Sequence, residues 1–89
     1  MFTGKTIIRN QKGLHARAAA KLVEIACQFK ANIEIERNDN KVSAISIMGL
    51  LTLAASKETE VTIYAEGTEA KEAVHAIIKL IDDKFGEVQ

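Results

Sequence analysis

The residues best placed to do chemistry lie in the run Gly13-Leu14-His15-Ala16-Arg17. His15 falls where a turn gives way to a helical pattern, so it occupies the N-cap or the first turn. The first backbone N–H groups of a helix lack intrahelical acceptors, and the helix dipole is positive at that end. Such an end is a ready anion site. An imidazole nucleophile beside it, with Arg17 two positions on, can receive a phosphoryl group and neutralise it. Phosphoryl transfer depends mainly on positioning and on electrostatic stabilisation of equatorial oxygens, so a shallow surface site suffices. The same residues also fit an indifferent helix cap beside a solvated arginine, and spacing alone leaves both readings open.

Other candidates are weaker. Gly4-Lys5-Thr6 ends like a phosphate-binding loop, but only three residues precede it, so the first glycine and the leading strand are missing. No Gly-rich dinucleotide fingerprint and no Gly-x-Ser-x-Gly elbow occurs. His75 lies sixty residues from His15, and neither has metal-ligand spacing with Cys27. On a helical wheel His75 sits beside Lys71 and Lys79, on a solvated face. Cys27 falls at the edge of an apolar stripe, where a buried small hydrophobe is expected rather than a redox thiol.

The elements that must position His15 follow from periodicity. Thr3 to Arg9 reads as a short strand and Asn10-Gln11-Lys12-Gly13 as a turn. From Ala16, one face carries Ala19, Leu22, Val23, Ala26 and Phe29, and the other carries Arg17, Lys21, Glu24 and Gln28, which predicts an amphipathic helix. Ile33-Glu34-Ile35-Glu36 alternates as a half-buried strand. Asn38-Asp39-Asn40 suits a hairpin turn into a second strand at Lys41 to Ala44. Ser46 can cap a short apolar helix containing Ile47, Met48, Leu50, Leu51 and Leu53. Val61, Ile63 and Ala65 mark another strand. Gly67-Thr68 then stops that strand and caps a last helix, which buries Ala70, Ala73, Val74, Ile77, Ile78 and Ile81 and stops near Phe85 and Gly86. The order β-α-β-β-α-β-α predicts one α+β domain over residues 1–89, with a mostly antiparallel sheet and helices on one face.

Composition sets the limits. Eighty-nine residues, 47% hydrophobic and 27% charged, make a globular chain too small for a deep catalytic cavity. One cysteine excludes a disulfide scaffold and a multi-Cys zinc site. The formal net charge of zero hides an asymmetry. Residues 1–30 hold six bases against one acid, net +5, and the remainder six bases against eleven acids, net −5. A basic third around His15 suits a phosphate or an acidic partner. The start, Met1 to Arg9, has no apolar signal-like region, and the stretch Ala44 to Ala55 is too short to span a bilayer, so a cytoplasmic location without membrane insertion is expected. Aromatic content of 4% offers little for stacking bases, and no nucleic-acid partner is expected.

Gly13-Leu-His-Ala-Arg-Ala-Ala-Ala20 resembles the active-site motif of HPr, the histidine-containing phosphocarrier family of the bacterial phosphoenolpyruvate-dependent phosphotransferase system. Ser46-Ile-Met-Gly-Leu50 resembles that family's second motif, and length and element order match nearly throughout. The resemblance implies an open-faced β-sandwich, a four-stranded antiparallel sheet with three helices on one face. It implies that His15 is phosphorylated on Nδ1 by phospho-enzyme I and passes the group to a histidine of an EIIA-type domain. Arg17 and the backbone N–H groups of Ala16 and Arg17 would hold the phosphoryl group, with no cofactor, and the N–H of Ala18 adds one donor of this chain's own. In some members a dedicated HPr kinase/phosphorylase modifies the serine matching Ser46. A phosphate there would sit at a helix N-terminus and add charge beside an apolar patch. A plain N-cap is the other reading of Ser46.

A two-turn helix cannot turn all of Ile47, Met48 and Leu51 inward, so part of this surface is expected to dock partners inside a basic rim. The alternative is that it is core. One departure concerns Ala18, where the family commonly has Pro, although the whole chain contains none. Proline is tolerated in a first helical turn, so Ala18 leaves the phosphocarrier chemistry intact. It raises the question of a sugar-uptake or a nitrogen-regulatory branch. The expected protein is a monomeric carrier rather than a free-standing enzyme. The rival from another class is a small regulatory ligand- or RNA-binding α+β module.

Overall fold

A computed structural model describes residues 1–87. Strand β1 (Phe2–Ile7) leads to helix α1 (Ala16–Ala26). The hairpin β2 (Asn32–Arg37) and β3 (Asn40–Ser43) follows, then α2 (Ile47–Thr52), β4 (Glu60–Glu66) and α3 (Ala70–Asp82). A single turn, Lys84–Gly86, ends the described chain. The strands form one sheet in the order β1-β4-β2-β3, with every neighbouring pair antiparallel. The three helices lie on one face, with α1 packed on α2 and α3, and α3 across β1 and β4. The open-faced sandwich expected from the sequence is the fold observed.

Alternation explains which face is covered. Val61, Ile63 and Ala65 of β4 and Ile33 and Ile35 of β2 point inward, meeting Ala18, Ala19, Leu22 and Ala26 of α1 and Ala73, Val74, Ile77 and Ile81 of α3. Each fully buried Leu, Ile or Phe contributes roughly 1.5–3 kcal/mol relative to exposure. Phe85, fully buried, closes the core beyond α3. The hairpin is set by a two-residue turn in which Asn38 takes φ 56°, a conformation asparagine tolerates. Arg37 then pairs with Asn40.

Four local expectations are corrected. Strand β1 stops at Ile7 because its partner begins at Glu60, the residue opposite; Ile8 instead donates its N–H to Thr59 O at 2.9 Å. Cys27 is exposed rather than buried, because it is the C-cap residue where the chain leaves the apolar stripe of α1. Thr68 does not cap α3. The N-cap residue is Glu69, which makes no side-chain cap bond; its carboxylate accepts from Lys30 N–H at 2.7 Å, and the Thr68 hydroxyl turns towards Lys30 O at 3.5 Å. Lys21 is half-buried rather than solvated, with Nζ donating to Phe85 O at 2.7 Å. Ser46 does cap α2, accepting from Gly49 N–H at 3.0 Å.

Candidate functional site

The loop between β1 and α1 delivers His15. Asn10 is completely buried, and its Nδ2 donates to Gly13 O at 2.8 Å, folding the turn on itself. Gly13 has φ +67°, and a Cβ there would lie 2.5 Å from Ala55 O and 2.9 Å from Ser56 Cα. Only glycine allows so close a backbone approach. Leu14 N–H then donates to Ala55 O at 2.8 Å, and its side chain enters the core. This pins the residue directly before His15.

His15 is the N-cap of α1, with extended backbone (φ −85°, ψ −179°) and no side-chain cap bond. The imidazole is therefore not spent on capping. The first intrahelical bond runs from Ala19 N–H to His15 O, at 2.8 Å, so the N–H groups of Ala16, Arg17 and Ala18 precede the helical ladder. Ala16 and Arg17 are exposed and Ala18 is fully buried, which makes its N–H the least accessible of the three. The Arg17 side chain forms no ion pair among the described residues. An exposed, unpaired guanidinium two residues from the ring can turn towards an incoming anion.

The other side of the ring meets the end of the chain. His15 Nε2 lies 2.5 Å from Glu87 Oε2, and Asn10 Nδ2 also donates to Glu87 Oε1 at 3.0 Å. The His15 side chain is 27% exposed and that of Glu87 16%. The hydrogen bond from His15 holds the Glu87 carboxyl below the usual glutamate range. Burial opposes this, and the Asn10 amide and positive charge on His15 and Lys12 reinforce it. Sequence reasoning missed Glu87 and gave Asn10 only a turn role. The Asn10–Gly13 spacing signals a local side-chain bond, but no local pattern connects Glu87 to a histidine seventy-two positions away.

The remaining candidates separate. His75 is exposed on α3, edge-to-face with Phe2 at a centroid distance of 5.6 Å. On α2, Met48 is 74% and Ile47 39% exposed, Leu51 is half-buried, and Leu50 and Leu53 fill the core. The apolar surface is thus divided between interior and solvent. On the open face of the sheet Tyr64 is tied to Glu36 and covered by Lys41 at 4.2 Å, so it presents no free platform for a base. An open depression lined by Ala31, Asn32, Glu34, Ser43, Ile45 and Glu66 lies at the opposite end of β4 from the His15 loop. No helix of the described residues is long and apolar enough to cross a membrane.

Comparison with known proteins agrees with this geometry. The family model described as "PTS HPr component phosphorylation site" matches residues 2–83. The phosphocarrier protein HPr of Cupriavidus necator is 42% identical over 87 residues, covering 98% of each chain. The solved HPr-C-His of Thermoanaerobacter tengcongensis superposes with a TM-score of 0.95 at 42% identity, covering all of both chains. An HPr dimer from the same organism matches with a TM-score of 0.78 at 42% identity, covering 98% of this chain and 100% of that one. A histidine at a pinned helix N-terminus, in this topology and with these relatives, places the chain in the HPr family of phosphocarrier proteins.

Proposed function

We propose that His15 accepts a phosphoryl group on Nδ1 from phospho-enzyme I and passes it to a histidine of an EIIA-type domain, in the cytoplasm. The observation that carries this reading is the placement of His15: an N-cap residue whose ring makes no cap bond, beside N–H groups that precede the helical ladder. In the transfer, the Nδ1 lone pair attacks phosphorus in line with the departing group, and the bond to the donor breaks with its electron pair. Arg17 and the N–H groups of Ala16 and Arg17 stabilise the equatorial oxygens, and the N–H of the buried Ala18 is at most a minor further donor. The reaction runs between partner proteins, so the chain acts as a carrier, and it does so as a monomer.

Exposed Ile47 and Met48, with Leu51, form the apolar centre on which both partners dock, and the basic residues nearest His15, Lys12 and Arg17, form the rim. Ser46 is the regulatory position: a kinase of the HPr kinase/phosphorylase type would place a phosphate at the α2 N-terminus and charge the edge of that patch. The test of the main reading is intact mass after incubation with phosphoenolpyruvate and enzyme I. An acid-labile phosphate that persists in His75→Ala and is lost in His15→Ala supports it. No uptake with a competent enzyme I overturns it.

A further inference from the structure

Glu87 lies outside both motifs and closes on His15 from the far end of the chain. Three features show a built contact. First, the turn that delivers it is in the left-handed region at three successive residues, Lys84 (φ 59°), Phe85 (φ 55°) and Gly86 (φ 77°). Two of these are not glycine, and such backbone persists only where the surroundings hold it. Second, the surroundings do hold it. The Phe85 side chain is fully buried, and Lys21 Nζ donates to Phe85 O at 2.7 Å. Third, two donors converge on the two carboxylate oxygens, with Asn10 Nδ2 on Oε1 and His15 Nε2 on Oε2.

The chemistry of that convergence is restrictive. An ionised carboxylate only accepts hydrogen bonds, so the ring nitrogen facing it must carry the proton. Glu87 is held in its ionised form by the same contacts. A neutral His15 ring thus has its proton on Nε2 and its lone pair on Nδ1. We propose that Glu87 is a positioning residue that fixes the His15 proton on Nε2, selecting Nδ1 as the phosphoryl acceptor. This rests on the phosphocarrier reading above and adds a determinant to it. In the step, the Nδ1–P bond forms as the donor's bond to phosphorus breaks, and the donor keeps the electron pair. Nε2 keeps its proton, so the ring becomes cationic, and the Glu87 carboxylate beside it offsets that charge without any proton leaving the site.

The test compares the wild type with Glu87→Ala and Glu87→Gln. Ring ¹⁵N NMR of the unphosphorylated proteins reads the tautomer directly, and ³¹P NMR reads the nitrogen that holds phosphate. Phosphate is supplied both by phosphoenolpyruvate with enzyme I and by phosphoramidate, a small donor that needs no partner. The wild type should show only the Nε2–H tautomer and only Nδ1 phosphate. Glu87→Ala should show both tautomers, a measurable share of Nε2 phosphate from phosphoramidate, and transfer from enzyme I slowed about tenfold, with the fold retained. Glu87→Gln should not restore the wild-type pattern, since one of its two head-group atoms is an NH₂ facing a donor. A single unaltered tautomer and exclusive Nδ1 phosphate in Glu87→Ala would overturn the inference. If enzyme I fails to phosphorylate the wild type, the carrier reading falls while the tautomer and phosphoramidate results still decide the role of Glu87.

Discussion

Replacing Gly13 by alanine tests how far the His15 loop depends on one backbone position. Two costs can be worked out. Forcing a residue with a Cβ to keep φ +67° costs about 1 kcal/mol. The added Cβ would sit 2.5 Å from Ala55 O and 2.9 Å from Ser56 Cα, both backbone, so the two segments must separate. Separation breaks the 2.8 Å bond from Leu14 N–H to Ala55 O, worth about 1 kcal/mol net, and loosens the packing of Leu14. The expected total is about 2–4 kcal/mol, a fall in Tm of roughly 10–25 °C for a domain of this size. Gly67→Ala is the control. Gly67 has φ +142°, and a Cβ there would meet Lys30 O at 2.6 Å, at the opposite end of β4 from His15. Both variants should be destabilised in thermal unfolding followed by circular dichroism. Assayed well below Tm, only Gly13→Ala should lose phosphoryl uptake. Equal uptake by both, or a Gly13→Ala Tm within about 2 °C of wild type, would refute the view that this contact pins the site.

Three further outcomes are expected. Ser46→Ala removes the acceptor for Gly49 N–H and should cost about 1 kcal/mol, seen as a drop in denaturation midpoint at unchanged m-value. Because Glu87 is held below its ordinary range, its contribution is complete above the unfolded glutamate value and is lost as pH falls through the lowered folded one. Carboxyl ¹³C titration should therefore show Glu87 moving up towards its ordinary range in His15→Ala, and the stability difference between those proteins should shrink in acid. Ala18→Pro falls in the first turn of α1, where the N–H has no intrahelical partner, so the transfer rate in a coupled assay should stay within about threefold of wild type.

What the sequence revealed was largely local physics. The caps at His15 and Ser46, the hairpin turn around Asn38-Asp39 and the strict alternation in β2 and β4 are decided within a few residues and were legible, although β3 runs from Asn40 to Ser43, one residue earlier than the expected Lys41 to Ala44. Thr68 failed as a cap because Lys30, thirty-eight residues away, offered its hydroxyl and the neighbouring Glu69 carboxylate other partners. Lys21 resembled a solvent-face lysine until its ammonium was seen to reach Phe85 O. Glu87 was illegible for the same reason on a larger scale: its position is set by a left-handed turn anchored through a buried ring, and neither feature has a periodic signature. The proposed nucleophile, His15, could thus be read from a short motif. The group that orients it comes from tertiary structure.

A pulse-chase of labelled phosphate tests most directly whether His15 carries a phosphoryl group between proteins. Labelled phosphoenolpyruvate with catalytic enzyme I should load the chain to one phosphate, mapped to His15. Addition of an EIIA-type domain should then empty it. Label that enters His15→Ala to the same extent, or label on His15 that no EIIA-type acceptor removes, would show that His15 is not a carrier between these proteins.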